Sequence, residues 1–146
     1  MAKFVYRMQN ILEIKQKMEH QAKAAYGIAN RQLVEEQEKL QQIFLQRVSY
    51  ESRARELASG TLELLKIKEC KRAIDVMKSK QRTQMMNVHV AERNVEQARQ
   101  QLNSVMIERK TQERLREKAF EEFRQELARE ESREIDELVS YNYHKN

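Results

Sequence analysis

Proline is missing from all 146 residues, and glycine occurs only at Gly27 and Gly60. Proline removes a backbone donor and clashes inside helices, and glycine marks turns. A chain nearly free of both can run as helix over almost its whole length. Tryptophan is also absent and aromatics reach only 6%, too little apolar volume for a compact core of ordinary size. A single cysteine, Cys70, excludes an intramolecular disulfide and fits a reducing compartment. No apolar run approaches the ~18 residues of a membrane span. Residues 1–7 lack the apolar stretch of a secretion signal. The expected location is therefore the cytoplasm.

What the chain does contain is charge, at 35% of residues, together with strong helix formers. That mixture suits long helices or a coiled coil. Disorder shares such a composition, and periodicity separates the two. Phe4, Met8, Ile11, Lys15, Met18, Ala22, Ala25 and Ala29 recur at alternating steps of four and three, the mark of a heptad seam. Leu33, Glu36, Leu40, Ile43, Arg47, Tyr50, Ala54 and Leu57 continue it. Between Ala29 and Leu33 the step is four where three is due, a stutter that unwinds a supercoil locally. Gly27 beside it reads either as a tolerated helical glycine or as a flex point.

Ala58-Ser59-Gly60-Thr61 is the one convincing turn. Gly60 is expected in the left-handed conformation that closes a helix, with Thr61 as N-cap of the next. A second seam follows: Ile67, Cys70, Ile74, Met77, Gln81, Gln84, Val88, Ala91, Val95, Ala98, Leu102 and Val105. The reading is all-α: one long two-helix antiparallel coiled-coil hairpin spanning 1–146. Its first helix covers about 3–58, its turn 58–61, and its second helix about 62–140. Pairing Leu57 near residue 63 makes opposed positions sum to about 120, so Phe4 lies opposite Arg116. The helix beyond about residue 117 then overhangs without an intramolecular partner.

Charge is segregated along this hairpin. Residues 66–82 carry seven bases (Lys66, Lys68, Lys71, Arg72, Lys78, Lys80, Arg82) against Glu69 and Asp75. Residues 117–146 carry nine acids and five bases. The pattern reads either as a solvated coiled-coil surface or as two docking regions with different partners.

Catalytic signatures are lacking. His20, His89 and His144 are too scattered to ligate a metal, and no phosphate-binding glycine loop occurs. A catalytic triad needs a rigid pocket that two helices do not supply. No enzyme activity, cofactor or metal is expected. Nucleic-acid binding is disfavoured as well, since bases alternate with acids and stacking platforms are missing.

The chain resembles the FliJ family, small soluble components of the bacterial flagellar type III export apparatus. The likeness lies in the basic-aromatic start Lys3-Phe4-Val5-Tyr6-Arg7, the Ser59-Gly60-Thr61 turn and the longer returning helix. It continues in Glu113-Arg114-Leu115-Arg116-Glu117-Lys118, Phe120-Glu121-Glu122-Phe123 and Glu134-Ile135-Asp136-Glu137. FliJ proteins look like the central stalk of rotary ATPases. The resemblance implies that the end bearing both termini docks in the hexameric ring of the flagellar export ATPase. Tyr6, Arg7, Phe120, Phe123, Arg124, Leu127 and Arg133 are the residues implied there. It implies a second contact, nearer the turn, with the membrane-embedded export gate protein FlhA, through Gln37, Phe44, Lys66, Lys71, Arg72 and Met77. It further implies binding of export chaperones, and peripheral placement at the cytoplasmic face of the inner membrane. Two other readings compete. A stalk subunit of a rotary ATP synthase or vacuolar-type ATPase needs a longer chain with extra sequence between its helices. A prefoldin-like chaperone or scaffold needs strand-forming sequence at the turn.

Overall fold

A computed structural model describes residues 2–60 and 63–145, the side chain of Lys145 excepted. The fold is an all-α helical hairpin. Helix α1 spans Gln9–Ser59, 51 residues, and helix α2 spans Leu64–Lys145, 82 residues. No strand occurs among the described residues. Helix α1 starts six residues later than the periodicity predicts. Residues 2–6 are non-helical, Arg7 and Met8 form a turn, and the Gln9 amide donates to the Tyr6 carbonyl at 3.2 Å. The Ser59 hydroxyl closes α1 by donating to the Glu56 carbonyl at 3.0 Å. Gly60 does not adopt positive φ, which corrects the expected left-handed cap. With the hydroxyl occupying that carbonyl, the chain leaves α1 through a simple bend. The expected N-cap, Thr61, lies outside the described residues.

The chain divides into two compact units: residues 1–21 with 103–146, and residues 22–102. In the first, Leu12, Glu19 and Val105 are buried; in the second, Ala22, Ala29, Cys70, Met77, Gln84, Val88 and Ala91 are. Both cores are thin, and no large side chain among the described residues is fully enclosed.

The seam of α2 runs as predicted: all twelve positions from Ile67 to Val105 are buried or half-buried. That of α1 differs in its first half. Met8 and Ile11 are 45% and 39% exposed and Ala25 is also exposed, while Leu12, Glu19 and Tyr26 turn inward. With these three in place, the inward positions from Leu12 to Leu57 alternate three and four without interruption. The predicted stutter disappears, and α1 passes through Gly27 as continuous helix. The predicted Ile11, Met18 and Ala25 each precede the observed Leu12, Glu19 and Tyr26 by one residue, because hydropathy prefers Met18 to the charged Glu19. Glu19 is carboxylate-bearing yet 8% exposed, because a cation from α2 neutralises it.

Polar seam residues meet polar partners. In the second unit Arg47 donates to the Gln81 amide oxygen at 2.8 Å and to Glu51 at 2.9 Å. The Gln84 amide nitrogen donates to the Glu36 carbonyl at 2.9 Å and to the Glu36 carboxylate. Asn87 in turn donates to the Gln84 amide oxygen at 3.2 Å. No buried side-chain polar atom lacks a hydrogen bond among the described residues. An unpaired polar group would cost ~1–3 kcal/mol there, so each layer favours this register over one shifted by a heptad.

Candidate docking surfaces

In the first unit, opposed positions are fixed by a ladder of polar contacts. Arg109 donates to Glu19 at 2.5 Å and 3.4 Å and to Glu113 at 2.9 Å. The hydrogen bond that Arg109 donates to Glu19, reinforced by Glu113, raises the Arg109 pKa above its ordinary value. Lys15 pairs with Glu108 at 2.7 Å. Arg116 donates to Gln9 at 3.1 Å, and the Tyr6 hydroxyl donates to Gln112 at 3.3 Å.

Beyond Gln9 the partner strand of this ladder is no longer helical. Non-helical chain can advance up to ~3.3 Å per residue, against ~1.5 Å for helix. Five residues before Gln9, Phe4 therefore reaches further along α2 than Arg116. Its ring stands edge-on to Phe120 at 5.1 Å and tilted against Phe123 at 5.6 Å. The Arg116 guanidinium lies 5.7 Å from the Phe4 ring centre. This corrects the predicted overhang. Phe120 and Phe123 have an intramolecular partner in Phe4, and α2 stays covered as far as Leu127, which is half-buried. From residue 128 to 144 every residue is exposed.

The residues implied for the ATPase contact thus fall into two groups within this unit. Phe120 and Phe123 belong to the aromatic closure, although Phe120 keeps 47% exposure, and Tyr6 is tied to Gln112 beside it. Arg7 is exposed, Arg124 pairs with Glu121 at 2.9 Å and Arg133 with Glu126 at 3.4 Å. Ile135, Leu138, Val139 and Tyr141, exposed by 59–63% on the last stretch of α2, were not among the residues implied for a contact. Their sustained apolar character on an exposed helical stretch was the available signal.

The gate-facing set lies wholly in the second unit. Gln37, Lys71 and Arg72 are exposed, and Phe44 is 45% exposed. Lys66 pairs with Glu63 at 2.7 Å, and that hydrogen bond raises its pKa. Met77 is different. At 8% exposure it is a seam residue, buried by its heptad position, and it offers no surface to a partner. Cys70, also 8% exposed, packs in the seam as a free thiol. Near the α1 terminus, Tyr50, Arg53, Leu57, Lys66 and Glu69 border an open groove of about 320 Å³.

The family model described as the flagellar FliJ protein matches residues 4–146, essentially the whole chain. The chain belongs to the FliJ family. FliJ-family membership makes it a component of the flagellar export apparatus, associated with the export machinery. No curated protein and no solved structure matches it. No described helix is long and apolar enough to cross a membrane.

Proposed function

We propose that this FliJ-family protein is a non-enzymatic coiled-coil stalk that docks in the export ATPase ring and couples it to the export gate. The observation carrying this reading is the family match over residues 4–146, joined to a helix whose last seventeen described side chains, 128–144, are all exposed. A helix of that length is marginal in water by itself, and its exposed apolar residues fit a receiving partner. The ATPase contact uses Tyr6, Arg7, Phe120, Phe123, Arg124, Leu127 and Arg133, of which Arg7, Arg124 and Arg133 are the most accessible. The contact with FlhA uses Gln37, Phe44, Lys66, Lys71 and Arg72. Export chaperones are escorted by the same protein, which sits peripherally at the cytoplasmic face of the inner membrane.

The test is the double variant Arg124→Ala with Arg133→Ala. Both side chains are about two-thirds exposed (67% and 68%), and exposed ion pairs contribute ~1 kcal/mol or less. Stimulation of the export ATPase should fall at least tenfold while the unfolding midpoint stays put. Undiminished stimulation would remove these arginines from the contact.

A further inference from the structure

We infer that one face of the second unit is a binding surface for an anionic phospholipid bilayer. On α2, Leu64, Lys68, Lys71, Asp75, Lys78, Arg82 and Met85 follow one another at alternating steps of four and three. They form a single stripe on the helix surface. Leu65, Arg72, Ser79 and Met86 run beside it at seven-residue spacing. From Leu64 to Met86 the stripe extends about 33 Å at the helical rise.

Three observations bear on what it binds. First, Lys68, Lys71, Arg72, Lys78 and Arg82 are all exposed, and none has an ion-pair partner among the described residues. By contrast, Arg99, Arg109, Arg124 and Arg129 of the same helix all sit in ion pairs. Five neighbouring cations thus point at solvent without an ion pair, and the exposed Asp75 is the one acid of the stripe. Second, the stripe is bounded by aliphatic pairs at both ends. Leu64 and Leu65 are 68% and 72% exposed, and Met85 and Met86 are 45% and 69% exposed. Third, α1 contributes apolar surface to the same side. Arg47 meets Gln81 across the seam; with both as heptad position a, Phe44 and Lys71 occupy e while Val48 and Arg82 occupy b. In an antiparallel pair these positions of the two helices share a side. Phe44 and Val48 are 45% and 39% exposed.

Cations flanked by exposed aliphatic side chains match the boundary between phosphate headgroups and acyl chains. The lysine and arginine stems let the charges reach phosphate while neighbouring leucines enter the bilayer edge. A nucleic acid would leave Leu64, Leu65, Met85 and Met86 without a use, and stacking aromatics for bases are absent from the stripe. This surface shares Phe44, Lys71 and Arg72 with the contact proposed for FlhA and deepens the peripheral placement proposed above; protein-free vesicles test it apart from that reading, since loss of gate binding would leave vesicle binding intact.

The experiment measures partition of the full chain onto vesicles of phosphatidylcholine with about 30% phosphatidylglycerol, and onto phosphatidylcholine alone. Binding should appear only with the anionic lipid and weaken as salt is raised. Each base near such a surface is worth about fivefold in partition. Replacing Lys68, Lys71, Lys78 and Arg82 together by Gln should therefore lower binding at least ~100-fold. Leu64→Ser with Leu65→Ser leaves charge unchanged and should still lower it about tenfold. The pair Lys110→Gln and Arg114→Gln, which lies outside the second unit, should change it less than about threefold. Circular dichroism confirms that each variant stays helical. Absence of binding to anionic vesicles, or equal binding to neutral ones, overturns the inference. So does a quadruple variant that binds like the wild type. Retention of an oligonucleotide or of polyglutamate by the stripe, with the leucine variant unimpaired on vesicles, would assign it to a polyanion instead.

Discussion

Removing the Phe4 ring should unfasten the N-terminal segment from α2 and lower the stability of the first unit. A fully buried phenylalanine contributes ~1.5–3 kcal/mol by area, and Phe4 is half-buried, so about 1 kcal/mol belongs to burial. Its edge-on and tilted contacts with Phe120 and Phe123 add ~0.5–1.5 kcal/mol. Against this, residues 2–6 regain conformational freedom when released, which returns a part of the loss. The net expectation for Phe4→Ala is about 1–2 kcal/mol, read from urea or thermal unfolding. Val5, the next residue, is 79% exposed, so Val5→Ala should cost less than about 0.5 kcal/mol. Phe123→Ala should cost a comparable amount to Phe4→Ala, and the double variant should fall short of the sum by at least ~0.5 kcal/mol, because both lose the same contact. Amide exchange at residues 9–12 should quicken in Phe4→Ala. Equal effects of Phe4→Ala and Val5→Ala, or strict additivity with Phe123→Ala, would refute the aromatic closure.

Other expectations rest on single positions. A Cβ placed on Gly27 meets no atom within 4 Å, so Gly27→Ala should raise stability by ~0.5–1 kcal/mol; a lowered melting point would point to a required flex there. Val105 is 2% exposed, and Val105→Ala should cost ~2 kcal/mol, whereas the exposed Gln100→Ala should cost less than ~0.5 kcal/mol. Arg109→Leu withdraws two hydrogen bonds from a carboxylate that is 8% exposed. It should lower the melting point more than Arg124→Leu does, and adding Glu19→Leu should restore part of the loss. Glu96 has its pKa lowered, chiefly by the hydrogen bond from Arg99. A depressed carboxylate stabilises above its unfolded pKa and loses that contribution as pH falls through the folded one. Glu96→Gln should therefore remove a small acid-side loss of stability below about pH 4.5 and leave stability below the folded pKa unchanged; an identical pH profile for wild type and variant would count against the pair.

The two-helix hairpin and the α2 seam were legible because strict three-four spacing carries them, and few breakers interrupt it. The α1 seam before Ala29 was only partly legible. Hydropathy favours Ile11 over Leu12 no more than weakly, and it rejects Glu19 outright; the ion pair with Arg109, ninety residues away, suits that glutamate to the interior. The end of α2 was misjudged for a related reason. Register arithmetic assumed helix on both sides, but residues 2–6 are non-helical, and the faster advance of that chain carries Phe4 to Phe120 and Phe123. Met77 was implied for the gate contact by the family resemblance, although the heptad seam already contained it. It neighbours a basic cluster in sequence, yet its heptad position turns it inward, while Lys71 and Arg72 project outward.

The central claim is that the exposed end of α2, with Arg133, contributes to the contact with the export ATPase. A chain truncated after Leu127 removes only side chains that are exposed wherever described, Arg133, Ile135 and Leu138 among them. Its effect on ATP hydrolysis by the purified export ATPase hexamer tests the claim most directly. Stimulation should fall at least tenfold, the contact residues up to Leu127 retaining a remainder, while the thermal midpoint of the truncated hairpin matches that of the full chain. Full stimulation by the truncated chain would contradict it.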